Sequence, residues 1–368
     1  MLETIRAGAP ISRAEISRRA GISKPTVSLV LRSLVEAGLV RDTEHSPDGP
    51  HYGAVYFEPV PEAALVLGFD LGARFLRGAL SDLSGRVRAR QDVELAGGDA
   101  DAALDAIVEL REALVAATGL SGDLVDGAVV GVPGVVDAAA GTVRLAENVP
   151  GLEERPFRDE LEERLGLRVT LENDINLAAL GEQSLGIARG VDDFVFLSVG
   201  TGMGAGLVLG GELHRGYHGA AGEVDYTLPQ RRHEIDPSAP AVSELAASLA
   251  AEIPTTLAPP YDAPELFGAA RRGDELGRAV VREVATRIAA NVAPIAAVAD
   301  VGLVVLGGGL GANGDLLLEP VRRHLEDWLP YPPRVEASAL GEGAVLSGAL
   351  AVGLRSALDS VFVNRTAS

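Results

Sequence analysis

An apolar strand that runs into a glycine turn and returns as a second strand occurs twice in this chain, and it limits the fold more than any other feature. Leu65-Val-Leu-Gly-Phe-Asp70-Leu-Gly72 is the first copy; Phe194 to Val199, running into Gly200-Thr-Gly202-Met-Gly204-Ala-Gly206, is the second. Each is followed by a return strand: Phe75 to Leu80 after the first, and Ala205 to Leu209, with a Gly210-Gly211 turn, after the second. Further strands are expected at Arg86 to Val93, Gly127 to Val132, Val169 to Leu171 and Leu303 to Leu306. Helices are expected at Ala100 to Thr118, from Asn173-Asp174 onward, at Glu275 to Ala299 and at Gly341 to Leu358. Strand–turn–strand openings followed by strand–helix units, occurring twice, predict a duplicated α/β fold with a cleft between its halves. Glycine turns after Asp70, at Gly200–Gly206 and at Gly307–Gly309 each allow backbone N–H groups to approach an oxyanion. With 44 glycines in 368 residues, composition alone would supply one such turn.

The first 58 residues follow different rules. Ser12 and Glu15 have the spacing of a capping box, Gly21 supplies a tight turn, and Ser23 is a second N-cap with Pro25 in the first helical turn. Val27, Val30, Leu31 and Leu34 then recur at helical spacing, and Gly38 closes the helix. A strand from Leu39, a polar wing from Thr43 to Pro50 and a return strand from Tyr52 to Phe57 complete a winged helix-turn-helix, which lays its second helix in the DNA major groove. Ser23, Lys24, Thr26, Ser28 and Arg32 are the candidate DNA contacts. The wing carries no arginine. Residues 1–41 hold seven Arg and Lys against three Glu, a net +4 inside a chain of net charge −20. A basic head on an acidic body is expected where only the head meets nucleic acid.

There are no cysteines, which excludes disulfides, thiolate metal sites and a Cys nucleophile. No stretch reads as a membrane span or a leader, so a cytoplasmic location is expected. The most informative segment of the body is Glu172-Asn173-Asp174-Ile-Asn176, at the end of a strand. Asn and Asp there can hydrogen-bond sugar hydroxyls, and the Asp can take a hydroxyl proton during phosphoryl transfer. A plain helix cap explains the Asp equally well.

Together these segments resemble the ROK family of repressors and sugar kinases over nearly the whole chain. The head resembles its repressor branch in Ser12-Arg-Ala-Glu-Ile-Ser-Arg-Arg-Ala-Gly-Ile-Ser-Lys-Pro-Thr-Val-Ser28. The body does so at Gly131-Val-Pro-Gly134, Asn148-Val-Pro150-Gly151, Glu172-Asn-Asp174, Gly200-Thr-Gly-Met-Gly204, Ala221-Gly-Glu223 and Gly307-Gly-Gly309. The resemblance implies an actin-like, ribonuclease H-like, two-lobed sugar-kinase fold behind a winged helix-turn-helix. It implies domains at 1–58, 59–183 and 184–358, with the last helix returning to the first lobe. It also implies a sugar held by Gly134, Asn148, Asn173, Asp174 and Glu223, with Asp174 the catalytic base of a kinase. Asp70, Gly72, Gly200, Thr201, Gly202, Gly204 and Gly307 to Gly309 fall where family kinases hold the nucleotide.

Three departures bear on activity. Ala73-Arg74 stands where the family's first phosphate turn has Gly-Thr, and Ala adds a Cβ where close phosphate approach needs bare backbone. Tyr226 stands where the family has a His that binds sugar and a structural zinc. The cysteine cluster for that zinc is missing, with Gln230-Arg-Arg-His233-Glu-Ile-Asp236 in its region and His233 read as a surface residue. The expectation is therefore a non-enzymatic repressor of carbohydrate genes, without zinc or other cofactor, controlled by a small sugar-like effector. It would bind a palindromic operator as a homodimer or larger oligomer, with the apolar helix Gly341 to Leu358 available for pairing. The alternatives are a DNA-binding ATP-dependent sugar kinase and a regulator controlled by a protein partner.

Overall fold

The computed structural model describes residues 1–43, 55–95, 98–146, 148–226 and 232–366. They divide into two compact units. The first joins residues 1–132, 146–171 and 349–368; the second joins 133–145 and 172–348. The chain passes between the units after residues 132, 145, 171 and 348, and the strand Arg168–Asn173 and the C-terminal helix Ala344–Thr366 each run across one of these boundaries.

In the first unit, helices Leu2–Gly8, Arg13–Ala20 and Lys24–Glu36 lie with a small sheet in which Tyr56–Pro59 pairs with both Ile11–Ser12 and Val40–Thr43. The sequence reading missed the first of these helices. Ser12 caps as expected, accepting from Glu15 N at 3.3 Å. The reciprocal half of the box does not form: the Glu15 carboxylate turns to Arg18 and Arg19 instead, and those guanidiniums hold it down to about 2. The wing residues 44–50, Tyr52 and the His233 side chain lie outside the described residues.

The head is not tethered through a free linker. Pro59 ends its last strand, and Pro61–Ala63 forms a helical turn leading straight into strand Leu65–Leu71. Ile5, Ile16, Val27, Leu31, Leu34 and Phe57 share one buried core with Val66 of the sheet, Leu83 just after the strand Phe75–Asp82, and Leu354, Ala357 and Val361 of the C-terminal helix. That helix was expected to offer apolar area to a second copy; its inward residues are instead used within the subunit. Among the described residues, helix Gly341–Phe362 is also the one long and apolar enough to cross a membrane, a feature the sequence reading overlooked. Here Ala349 and Ala357 are fully buried in protein.

The first unit's sheet has five strands, in the order Arg168–Asn173, Val125–Val132, Leu65–Leu71, Phe75–Asp82, Val87–Glu94. Leu65–Leu71 is buried at every position, as a continuous apolar run requires. Leu76 is buried, but Phe75 beside it is 38% exposed under the guanidiniums of Arg74 and Arg77. The second unit repeats the arrangement with Glu212–Leu213, Met203–Leu209, Phe194–Val199, Leu303–Gly307 and Arg334–Ala337. Phe194–Val199 pairs antiparallel with its return strand and parallel with Leu303–Gly307. The long helix Glu275–Ala299 covers this sheet through Val280, Val284 and Ile288.

Candidate functional site

The recognition helix Lys24–Glu36 has an inward and an outward face. Val27, Leu31 and Leu34 are buried; Lys24, Thr26, Leu29 and Arg32 are exposed, and Ser28 is half-buried. At about 100° per residue, Lys24, Ser28, Leu29 and Arg32 fall within one arc of roughly 140°. Ser23 and Thr26 are tied to each other, Oγ to Oγ1 at 2.8 Å, so they hold the helix start. The charges separate more sharply. Arg6 pairs with Glu3, Arg18 and Arg19 with Glu15, Arg41 with Glu58, and Arg13 lies over the Phe57 ring. Among the described residues of the head, Lys24 and Arg32 are the two cations with no such partner. Both lie on the face that a major groove would meet.

The sugar-site candidates of the second unit gather where a strand gives way to helix Asp174–Ser184. Asn173, not Asp174, is the N-cap: its Oδ1 accepts from Asn176 N at 2.9 Å. Its Nδ2 donates to the Gly134 carbonyl at 3.0 Å. Gly134 has φ +95°, and a Cβ there would lie 2.3 Å from the Arg144 carbonyl oxygen, so the hairpin Val135–Asp137/Thr142–Arg144 needs glycine at that point. Asp174 is half-buried in the first helical turn, and its Oδ1 accepts from Ile175 N.

Sequence reasoning quoted Glu172 as part of a motif but gave it no role. It is the buried anchor of the segment: Oε1 accepts from Asn173 N and Asn176 Nδ2, and Oε2 pairs with Arg215 at 2.7 Å. Arg215 was missed altogether; its only sequence signal was a cation in an otherwise neutral Gly-rich turn. Glu223 is half-buried, and burial, then the charge of Asp225, pushes its carboxyl above the usual Glu value. Gly222 beside it has φ +97°, and a Cβ there would come to 1.8 Å of the Ala205 carbonyl oxygen. Asn148 is an exposed turn residue of the first unit.

The glycines expected around a nucleotide divide by environment. Gly204 packs on Ile175, Gly307 on the Phe196 ring, and Gly308 on the Val199 backbone, so packing alone demands them. Gly202 and Gly309 face open space, and Gly200 approaches the Gly309 amide. Thr201 is exposed at the same turn. In the first unit, Asp70 is buried and paired with Arg77 at 3.2 Å, and Gly72 closes the turn by donating to the Phe75 carbonyl. Arg74 projects outward and pairs with Glu94.

This fold and this site define a class. Residues 66–355 match the ROK family, and residues 1–49 match the MarR family of winged-helix proteins. The chain belongs to the ROK family and is a DNA-binding transcriptional regulator within it. It is 26% identical over 374 residues to the xylose repressor of Caldicellulosiruptor bescii, covering 96% of this chain and 94% of that one. It is 32% identical over 253 residues to the glucokinase of Thermotoga maritima, covering 61% and 77%. Among solved structures, a ROK transcriptional regulator homologous to the E. coli MLC protein superposes with TM-score 0.83 at 22% identity, over 99% of this chain and 96% of that one. A ROK hexokinase from Thermus thermophilus superposes with TM-score 0.65 at 30% identity, over 80% and 99%.

Proposed function

We propose that this chain is a cytoplasmic transcriptional repressor of carbohydrate genes whose body binds a sugar without phosphorylating it. The observation that carries this reading is the unpaired Lys24 and Arg32 on the outward face of a recognition helix, in a chain whose other head cations are already engaged. Resemblance along almost its entire length to a xylose repressor supports the same reading and makes a pentose or hexose the first effector to test. The Asn173–Gly134 lock, Asp174 and Glu223 supply hydroxyl-binding groups. Capture of a sugar there would alter DNA affinity, and two heads in one homodimer would read a palindromic operator.

Loss of kinase activity follows from positioning. Phosphoryl transfer depends mainly on holding and neutralising the phosphates. Arg74 is engaged at the surface, Ala73 replaces a glycine, and Asp70 is already neutralised by Arg77. The residues present also depart from the zinc set of family relatives: the chain has no cysteine, and Tyr226 stands in place of the His. A residual kinase is the second reading, favoured by Asp174 at its helix start and by the glucokinase resemblance.

A coupled assay with ATP and glucose or xylose, run beside a thermal-shift screen of the same sugars, separates the two. A sugar that raises the melting temperature with no ATP-dependent turnover supports the repressor. Turnover abolished by Asp174→Ala supports the kinase and overturns the proposal.

A further inference from the structure

The second unit holds a cavity of about 450 Å³ between the end of the long helix and the segment around Glu223. Leu207, Val224, Ile235, Ala290 and Ile295 line it, with Val298, 88% exposed, at its rim. Such a volume suits a small organic molecule, and walls of this kind favour an apolar one. Two features add polarity, and both are acceptors. Asn291 lines the cavity and is only 4% exposed. Its Nδ2 donates to the carbonyls of Ile235, at 2.9 Å, and Arg287, at 2.8 Å, while its Oδ1 has no partner among the described residues. Pro294, also lining the cavity, has no N–H to give the Ala290 carbonyl one turn earlier in the same helix.

Asn291 Oδ1 meets no protein donor among the described residues, so a ligand that brings one N–H or O–H can add a hydrogen bond there. We propose that this cavity is a second ligand site, for a compact apolar molecule that carries one hydrogen-bond donor, such as an indole or phenol. The donor lies against Asn291 Oδ1 and the apolar body against Val224, Ile235 and Ile295. Gly222 and Val224 are both in the wall, so the occupant sits directly behind Glu223. The site is not part of the sugar-binding set and stands independently of which sugar, if any, the chain binds.

Titration calorimetry of the full chain with indole and with 1-methylindole tests this. The N–H of indole is the only donor that separates the two probes. Wild type is expected to bind indole saturably at one site, about fivefold or more tighter than 1-methylindole, the worth of one hydrogen bond. Asn291→Leu should bind the two probes equally. Val298→Asp, at an exposed rim position that leaves folding intact, should weaken both several-fold. Absence of saturable binding to wild type overturns the proposal, as does equal binding of both probes. It is overturned too if light scattering shows a dimer that Val298→Asp dissociates while indole does not bind, which makes the cavity a contact between copies.

Discussion

The recognition helix and the Glu172–Asn176 segment both present polar residues on a helix, yet those residues have opposite duties. In the head, Lys24 and Arg32 bond to nothing in the described protein and can be replaced without loss to the fold. In the body, Asn173 caps a helix and locks a hairpin, and Glu172 collects two N–H donors and a guanidinium. The first set waits for a partner outside the chain. The second spends most of its hydrogen bonds holding its own shape, so that few of its polar atoms are left to meet a ligand. Substitutions should therefore separate stability from binding in the head and merge them in the body.

The largest effect should come from the backbone beneath Glu223. Gly222→Ala forces a Cβ into the Ala205 carbonyl at a positive φ. A loss of roughly 3 kcal/mol or more in unfolding free energy is expected, by denaturant melts, together with loss of any sugar response. A variant as stable as wild type would show that the segment yields easily and would blur the contrast with the head.

Next come the head cations. Arg32→Ala and Lys24→Ala should each weaken operator binding by about tenfold to a hundredfold, in fluorescence anisotropy, while thermal melts stay unchanged. If one contacts a phosphate, its loss should also lower the slope of log affinity against log salt by about 1. A fall in stability matching the fall in binding would give the head the same dual duty as the body.

The smallest effect concerns pH. Burial raises Glu223, so on acidification it gains its proton above the ordinary Glu value of 4.5. Between 4.5 and that raised value the folded chain holds more protons than the unfolded one, so this group's contribution to stability falls as pH rises through the window. Sugar affinity should do the reverse, weakening as pH falls and the ionised acceptor is lost. Glu223→Gln should flatten both trends in calorimetry over the range from pH 4.5 upward.

The sequence displayed some of this and concealed the rest. Helices Ala100–Thr118 and Glu275–Ala299 and strand Phe194–Val199 have the bounds that apolar period and capping residues predict, because local rules decide them. Glycine runs were less informative. Gly204, Gly307 and Gly308 look like a phosphate cradle, yet their neighbours Ile175, Phe196 and Val199 leave no room for a side chain in any case. The Glu172–Arg215 pair spans 43 positions and leaves no periodic trace. The shared core of head, sheet and C-terminal helix was hidden for the same reason: Ile5 and Val361 meet the same cluster from opposite ends of the chain.

In the proposed function the body senses a sugar and the head reports it on DNA. Its most direct test is the affinity of the full chain for operator DNA by fluorescence anisotropy, with and without a saturating sugar already shown to bind by calorimetry, and with no ATP present. A change of about fivefold or more in affinity is expected, absent in Asp174→Ala and preserved in its direction at every salt concentration. An affinity that does not move when the sugar site is full would contradict it.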